Sequence, residues 1–271
     1  MEAERLQEPV RMLRKGLKNL PGNPAPEQVH KLRTGAREIE AVAAALPGDD
    51  KMTRLLLKAI KPVRRAAGDV RDLDVLTTNA LKLVGETEPD SMTRLLRSLK
   101  TLRQKNASEL LKVVQRTRKT ARRRLKRFEA QLQEDLAEGE SGAEAMRLEG
   151  SIGKIMNQLT DELSRWPALS EGNIHRFRLK VKEMRLLLRL ERSANLSFLR
   201  SLNSAKRKIG DWHDWQRLRE TAGEILDPRT DRAILENIDK AVERKLAQAL
   251  AVSNALRRKF LKLGKARKNA A

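Results

Sequence analysis

Val29-His30-Lys31-Leu32-Arg33 and Ile174-His175-Arg176-Phe177-Arg178 are two copies of one pattern, in which His-x-x-Arg follows an apolar residue. Farther along each half, Gly68-Asp69-Val70-Arg71-Asp72 is matched by Gly210-Asp211-Trp212-His213-Asp214. Both matches keep the same order and nearly the same separation along the chain. Two patterns that recur in register predict an internal repeat, so we expect the fold to consist of two similar halves.

The two halves are expected to meet at Gly139-Glu140-Ser141-Gly142, a short polar stretch that contains glycine. This seam predicts a first repeat over residues 1–138 and a second over 139–271. Proline and glycine breaks divide each half into about four helices, with Pro26 and Pro228 in first turns, where a missing N–H costs little. The predicted helices span 4–19, 26–46, 50–84 and 89–137, then 144–165, 171–193, 196–226 and 228–262.

The composition is typical of a protein built from long helices. Hydrophobic residues make up 39% of the 271 residues and charged residues 35%, whereas aromatic residues reach only 3%. Leu, Ala, Arg, Lys and Glu are abundant, and strand-forming runs are scarce. The absence of cysteine excludes a disulfide framework, and no apolar stretch is long enough to span a bilayer. We therefore predict an all-α, soluble and cytoplasmic protein with no membrane association.

The charge of the chain points to an anionic partner. The net charge is +22 at pH 7, and a charge of this size repels itself in the folded state unless an anion offsets it. Nucleic acid, an acidic membrane surface and inorganic polyphosphate are the candidates. Composition alone favours nucleic acid, because it is the commonest polyanion.

Rows of cations lie beside the apolar faces of the predicted helices. An ideal helix turns about 100° per residue, so residues at i, i+3 and i+7 share one face. The basic stretch 94–127 adds a further row beyond an apolar seam of Leu95, Leu99, Leu102, Leu110 and Val113. The predicted binding residues are His30, Arg33, Arg37, Lys58, Lys61, Arg65, Arg116, Lys119 and Arg123 in the first half, and His175, Arg178, Lys182, Arg185, Arg189, Arg200 and Arg207 in the second.

Like charges at these spacings predict an anion-binding site. Solvated helices usually mix the two signs of charge, because each i,i+4 ion pair contributes about 0.3 kcal/mol. A row of one sign is unfavourable unless an anion lies against it. Arg offers a planar fork of donors to phosphate oxygens and Lys a compact point charge. The alternative interpretation, simple solvation of exposed faces, explains single cations better than whole rows.

The remaining polar residues are interpreted as structural. The aspartates of the two Gly-Asp motifs could hold a divalent cation, but ion pairs with arginines of neighbouring helices are the interpretation we favour. The tryptophans are expected to anchor the core, and His213 is left unassigned. No metal site and no cofactor are predicted. The chain has no P-loop, dinucleotide fingerprint or nucleophile motif, so we predict that it is not an enzyme.

At the two His-x-x-Arg motifs and the two Gly-Asp motifs, the chain resembles the CHAD family, the conserved histidine α-helical domain. The resemblance covers nearly the whole chain. It implies two pseudo-symmetric four-helix bundles from an internal repeat, with a basic groove or channel. It also implies binding of inorganic polyphosphate, at polyphosphate granules in some members. The chain is similar to a stand-alone member, because the Glu-x-Glu-x-Lys signature of the triphosphatase domain fused to many members is missing.

Two functions of different kinds follow from these observations. The first is non-enzymatic binding of inorganic polyphosphate or another polyanion through the Lys, Arg and His rows. The alternative is non-specific binding of nucleic acid through its phosphates. Single-strand binders usually stack bases on aromatic side chains, which are rare here. Glu40 stands where the second half has Arg185, so the two halves are not expected to contribute equally.

Overall fold

The computed structural model describes residues 2–45, 51–138, 142–190 and 195–261. Within these ranges every regular element is helical, which confirms the all-α prediction. The helices are α1 (Glu2–Asn19), α2 (Pro26–Ala45), α3 (Lys51–Ala80), α4 (Pro89–Glu138), α5 (Gly142–Ser164), α6 (Glu171–Leu190), α7 (Leu196–Ile225) and α8 (Arg232–Leu256). None of the helices in these ranges has both the length and the apolar composition needed to cross a bilayer.

The start of α8 differs from the sequence prediction, whereas α2 begins at Pro26 as predicted. The prediction placed Pro228 in the first turn of the last helix, and this was wrong. The side chain of Asp227 accepts hydrogen bonds from the backbone N–H groups of Arg229 (2.7 Å) and Thr230 (3.4 Å). The carboxylate of Asp231 in turn accepts from the N–H of Asp227 at 3.0 Å. These bonds close a turn around the proline, so the helix begins only at Arg232.

The chain divides into two compact units of four helices each. The first consists of Met1–Lys82 and Met92–Glu140, and the second of Leu83–Ser91 and Ser141–Ala271. The segment Leu83–Ser91 packs with the second unit although it precedes α4 in the sequence. It is held there by Ser91, whose hydroxyl donates to the carboxylate of Asp231 at 2.5 Å. The second unit therefore includes a segment from inside the predicted first repeat, and the boundary predicted between residues 138 and 139 stays a prediction. The pseudo-symmetry between the two bundles stays a prediction.

The core of the first unit is formed by apolar faces of α1, α2, α3 and α4. The seam of α4 passes through Arg103 instead of the predicted Leu102, which is 38% exposed. Arg103 donates from Nε to the buried carboxylate of Asp74 at 2.6 Å and from Nη2 to the carbonyl of Pro24 at 2.8 Å. A charged residue can therefore occupy a core-facing position because its charge is neutralised there.

The core of the second unit includes one apolar face each of α6 and α7. The residues buried on these faces are Ile174, Phe177, Val181, Met184 and Leu188 on α6 and Leu202, Ala205, Ile209 and Trp212 on α7. Trp215 is buried with them. Trp166 is only half-buried, and its ring contacts the edge of Phe177 at a centroid distance of 5.8 Å. Tight burial of one face fixes the rotation of each helix and hence the direction of its polar row.

Candidate functional site

The helices that carry the two His-x-x-Arg motifs begin in the same way. Ala25 N–H donates to the side chain of Gln28 at 2.8 Å, and Ser170 N–H donates to the side chain of Asn173 at 3.0 Å. In each case a side-chain amide in the first turn satisfies a backbone donor ahead of the helix. The motif histidine follows two residues later. His30 and His175 are both exposed at the start of their cation rows.

The motif arginines lie against the motif glycines of the following helix. A Cβ atom built on Gly210 would lie 3.1 Å from a terminal guanidinium nitrogen of Arg178. The corresponding Cβ on Gly68 would lie 3.6 Å from Nε of Arg33. The guanidinium therefore occupies the space that a side chain would need, and the two sequence motifs of each half are brought together. We define the grooves between these helix pairs as the α2–α3 furrow and the α6–α7 furrow.

The α6–α7 furrow is lined by three contacts between the antiparallel helices. The rings of His175 and His213 lie 5.4 Å apart at their centroids. Arg178 contacts Gly210 one turn further along. Arg185 donates from Nη1 to the side-chain oxygen of Asn203 at 3.3 Å. Together these contacts set a row of cations on α6 against three α7 positions, none of which is acidic.

The electrostatics of His175 reflect this cationic surrounding. Partial burial of the ring, followed by the positive charges of His213, Arg178 and Lys182, lowers the pKa of His175 below its usual value. His213 also lies near a carboxylate, with Nδ1 3.9 Å from Asp214. A bound anion would offset the positive charges of His213, Arg178 and Lys182 and so favour protonation of His175.

The α2–α3 furrow differs because an acidic residue of its first helix forms an ion pair with the facing helix. The carboxylate of Glu40 accepts from Nε of Arg64 at 2.7 Å, and both side chains are about one-third exposed. Partial burial, followed by the charges of Arg33 and Arg64, lowers the pKa of Arg37, whereas Glu40 raises it. Arg37 nevertheless stays charged at physiological pH. Thus Arg33, Arg37 and Arg64 are gathered in this furrow with one internal carboxylate.

The predicted residues of α3 and α7 lie on the exposed side of their helices. Lys61 is placed toward the furrow, at the position that Asn203 occupies in the second unit. By helical geometry Lys58, Arg65, Arg200 and Arg207 point away from the buried face of their own helix, and all four are exposed. Arg200 donates from Nε to the carbonyl of Leu196 on its own helix at 3.3 Å. By the same geometry Arg65 and Arg207 lie only about 40° around their helices from Lys61 and Asn203, so the predicted row of each helix stays on one side.

Three further predicted residues lie on α4. Arg116, Lys119 and Arg123 are exposed and point away from the core of the first unit. The side chain of Arg189 lies outside what the structure describes.

Sequence reasoning missed three residues of the furrows: Arg64, Asn203 and His213. Each lies on the second helix of its pair, α3 or α7, next to the row of polar side chains on the first helix, α2 or α6. The signal that could have found them is the contact between the two motifs of each half. Once Arg178 is placed opposite Gly210, antiparallel packing places His213 opposite His175 and Asn203 opposite Arg185.

The acidic residues of the Gly-Asp motif region behave in part as predicted. Asp74 forms the ion pair with Arg103 described above, which confirms the structural interpretation for this residue. Among the residues that the structure describes, no three His, Asp or Glu side chains are close enough to form a metal site.

Comparisons with known proteins agree on one family. The CHAD domain family matches residues 6–223, so the match ends within α7. The chain belongs to the CHAD domain family. The fold is also similar to the crystal structure of the CHAD domain from the plant Ricinus communis, with a TM-score of 0.61 and 17% sequence identity over 95% of this chain and 89% of that one. A search of curated proteins returns no match.

Proposed function

We propose that the protein binds inorganic polyphosphate in its two furrows and does not process it. The observation that carries this proposal is the α6 row of His175, Arg178 and Arg185, which meets His213, Gly210 and Asn203 of α7 and has the charge of Lys182 close by. Successive cations one turn apart match a ligand that carries a charge on every unit. Membership of the CHAD family supports the same ligand, and association with polyphosphate granules is part of the proposal.

The shape of the furrow favours a single flexible strand over nucleic acid. Packed helices lie about 8–10 Å apart, so the groove between two of them is narrow. Trp212 and Trp215 are buried in the core and offer no face on which bases could stack. Duplex nucleic acid could still contact the outer cations through its phosphates.

Binding without catalysis is supported by the side chains present in the furrow. Phosphoryl transfer needs acids that hold a metal ion next to the cations and a positioned nucleophile. The contacts between α6 and α7 involve Arg, His, Asn and Gly, Asp214 lies beside His213, and the buried Asp74 is engaged by Arg103. Incubation with long polyphosphate and Mg²⁺ should therefore leave the length of the polymer unchanged. Release of phosphate would contradict the non-enzymatic part of the proposal.

Competition between polymers tests the choice of ligand. A fluorescent polyphosphate bound to the protein should be displaced by unlabelled polyphosphate at lower charge concentration than by duplex DNA at physiological salt. Equal displacement by both polymers would favour the nucleic-acid alternative.

Charge reversal in the furrow tests the site. Arg178→Glu combined with Lys182→Glu should weaken polyphosphate binding at least about tenfold while helicity stays the same. Lys240→Glu with Arg244→Glu is the matched control, because both residues are exposed on α8 at the same i,i+4 spacing. Equal loss of affinity in the two double variants would show that only the total charge matters and would overturn the furrow as the site.

A further inference from the structure

One face of α4 carries a row of cations that the furrows do not use. Lys112, Arg116, Lys119, Arg123, Lys126 and Arg127 are all exposed. They fall within about 100° of the helix circumference and extend about 22 Å along its axis. We define this set as the outer strip of α4.

The outer strip lies on the far side of α4 from the core. The buried residues of the same stretch are Leu110, Val114, Ala121, Leu125 and Phe128, and they are about half a turn away from the strip. The side chains of the strip therefore point into solvent from a single helix.

The outer strip and the α2–α3 furrow are on different sides of the first unit. α4 is joined to α1 by the ion pair of Arg14 and Glu129 at 2.6 Å, and to α3 by Arg103 and Asp74. Because α1 and α3 both pack against α2 as well, α4 lies across the bundle from α2. One strand of ligand in the furrow would not cover the outer strip.

The charge of the strip is poorly compensated. Glu109 is the single acidic residue in the sequence between 105 and 127. It accepts a hydrogen bond from Lys112 at 2.7 Å, and this bond, followed by the charges of Lys112, Arg116 and Lys105, lowers the pKa of Glu109. Cations at i,i+3 and i,i+4 spacing repel one another, and Glu129, the acid that follows the strip along the helix, is engaged by Arg11 and Arg14.

We propose that the outer strip of α4 is a second polyphosphate-binding site, so that one molecule bridges two polyphosphate chains. This inference rests on the proposed function of the furrows. The strip is narrow, convex and purely cationic, and it offers no aromatic side chain on which a base could stack. A flexible strand can follow such a surface and place its charges along the row, whereas a stiff duplex touches a single helix over a shorter length.

A sandwich assay tests the bridging. The protein is captured on immobilised polyphosphate, unbound protein is washed away, and a fluorescent polyphosphate is added. The wild-type protein should retain the fluorescent chain. Lys119→Glu with Arg123→Glu should still be captured but should retain clearly less of the fluorescent chain, because the strip contact is gone while the furrows remain. Retention equal to that of the wild type would overturn the strip as a site. Lys240→Glu with Arg244→Glu on α8 should behave like the wild type.

Each outcome of this assay decides between the two proposals. Capture of the wild type without retention of the second chain would overturn the bridging and leave the furrow intact. Failure of the wild type to bind immobilised polyphosphate would overturn both. Retention of fluorescent duplex DNA or anionic vesicles, but not polyphosphate, would assign the strip to that other partner. Light scattering should show the same mass for both variants, and loss of a dimer in the α4 variant would overturn bridging by one molecule.

Discussion

The guanidinium of Arg178 lies where any side chain at position 210 would have to be. The terminal nitrogen would be 3.1 Å from an added Cβ, closer than ordinary van der Waals contact. In the first unit the equivalent distance, from Gly68 to Arg33, is 3.6 Å and leaves room for a methyl group. Position 68 therefore tolerates an added methyl group, whereas at position 210 the arginine would have to move.

Gly210→Ala should displace Arg178 and weaken polyphosphate binding about threefold to tenfold, because the arginine fork loses its preorganised direction. The fold should survive, since the atom that must move is the end of a flexible side chain and alanine is about 1 kcal/mol more favourable than glycine within a helix. Polyphosphate titration and thermal unfolding measure the two effects.

The controls for this substitution are glycines with more room. Gly68→Ala should change the affinity little, and Gly223→Ala should change it not at all, because no atom lies within 4 Å of the added group there. Equal affinity in all three variants would contradict a positioning role for Gly210.

Polyphosphate binding should strengthen as the pH falls from about 8 to about 5.5. The lowered pKa of His175 leaves its ring largely neutral at the upper end of this range, and a bound polyanion favours the protonated form. His175→Gln should flatten this dependence. Titrations at constant ionic strength measure it, and an unchanged pH slope in the variant would exclude His175 as the responsive group.

In the absence of ligand, the free energy of unfolding should have the opposite pH dependence and decrease as the pH falls. Because the pKa of His175 is lower in the folded protein than in the unfolded chain, the unfolded chain binds more protons as the pH falls. This group therefore contributes stability above its unfolded pKa, and the contribution is lost as the pH falls through the folded value. Ligand binding and folding thus respond to acid in opposite directions.

The residues of the furrow show what the sequence could and could not predict. His30, Arg33, His175 and Arg178 are recognisable because their pattern recurs. Arg64 was missed because a helical wheel describes one helix at a time, and its role depends on the facing helix, where it bonds to Glu40. Which residues of two helices face each other depends on how the helices pack, and the spacing of residues within one helix does not determine this.

At the scale of the element, α4 shows how one charged residue can replace a core residue. Arg103 is 17% exposed and Asp74 only 4% exposed at their side chains, and their ion pair lies where the apolar seam was predicted to continue. The predicted rotation of α4 was slightly wrong because the apolar Leu102 was expected to face the core, whereas Arg103 faces it. The eight helices themselves were predicted well, since proline and glycine mark most of their ends.

Asp74→Ala should destabilise the protein by about 3 kcal/mol, because it leaves the charge of Arg103 without its partner in a shielded position. Asp74→Leu with Arg103→Met should recover most of this loss. Urea unfolding followed by circular dichroism measures both values. Glu236→Ala is the control, because its ion pair with Arg232 is exposed and should contribute little.

At the scale of the whole molecule, a net charge of +22 makes binding dependent on salt. The logarithm of the polyphosphate affinity should fall linearly with the logarithm of the salt concentration. Arg178→Glu with Lys182→Glu should reduce this slope by about 0.7 for each lost phosphate contact. Isothermal titrations at several salt concentrations measure it, and a weaker affinity with an unchanged slope would mean that the two cations do not contact phosphate.

The pair of Glu40 and Arg64 gives the two bundles unequal roles. Its carboxylate is an anion tethered permanently inside the first furrow, so an incoming phosphate has to displace this internal competitor. At the corresponding place the second furrow has Arg185 hydrogen-bonded to the neutral Asn203, so a phosphate displaces no carboxylate at that position. At low polyphosphate concentration we therefore expect the second unit to bind first, and the first unit to bind only at higher concentration.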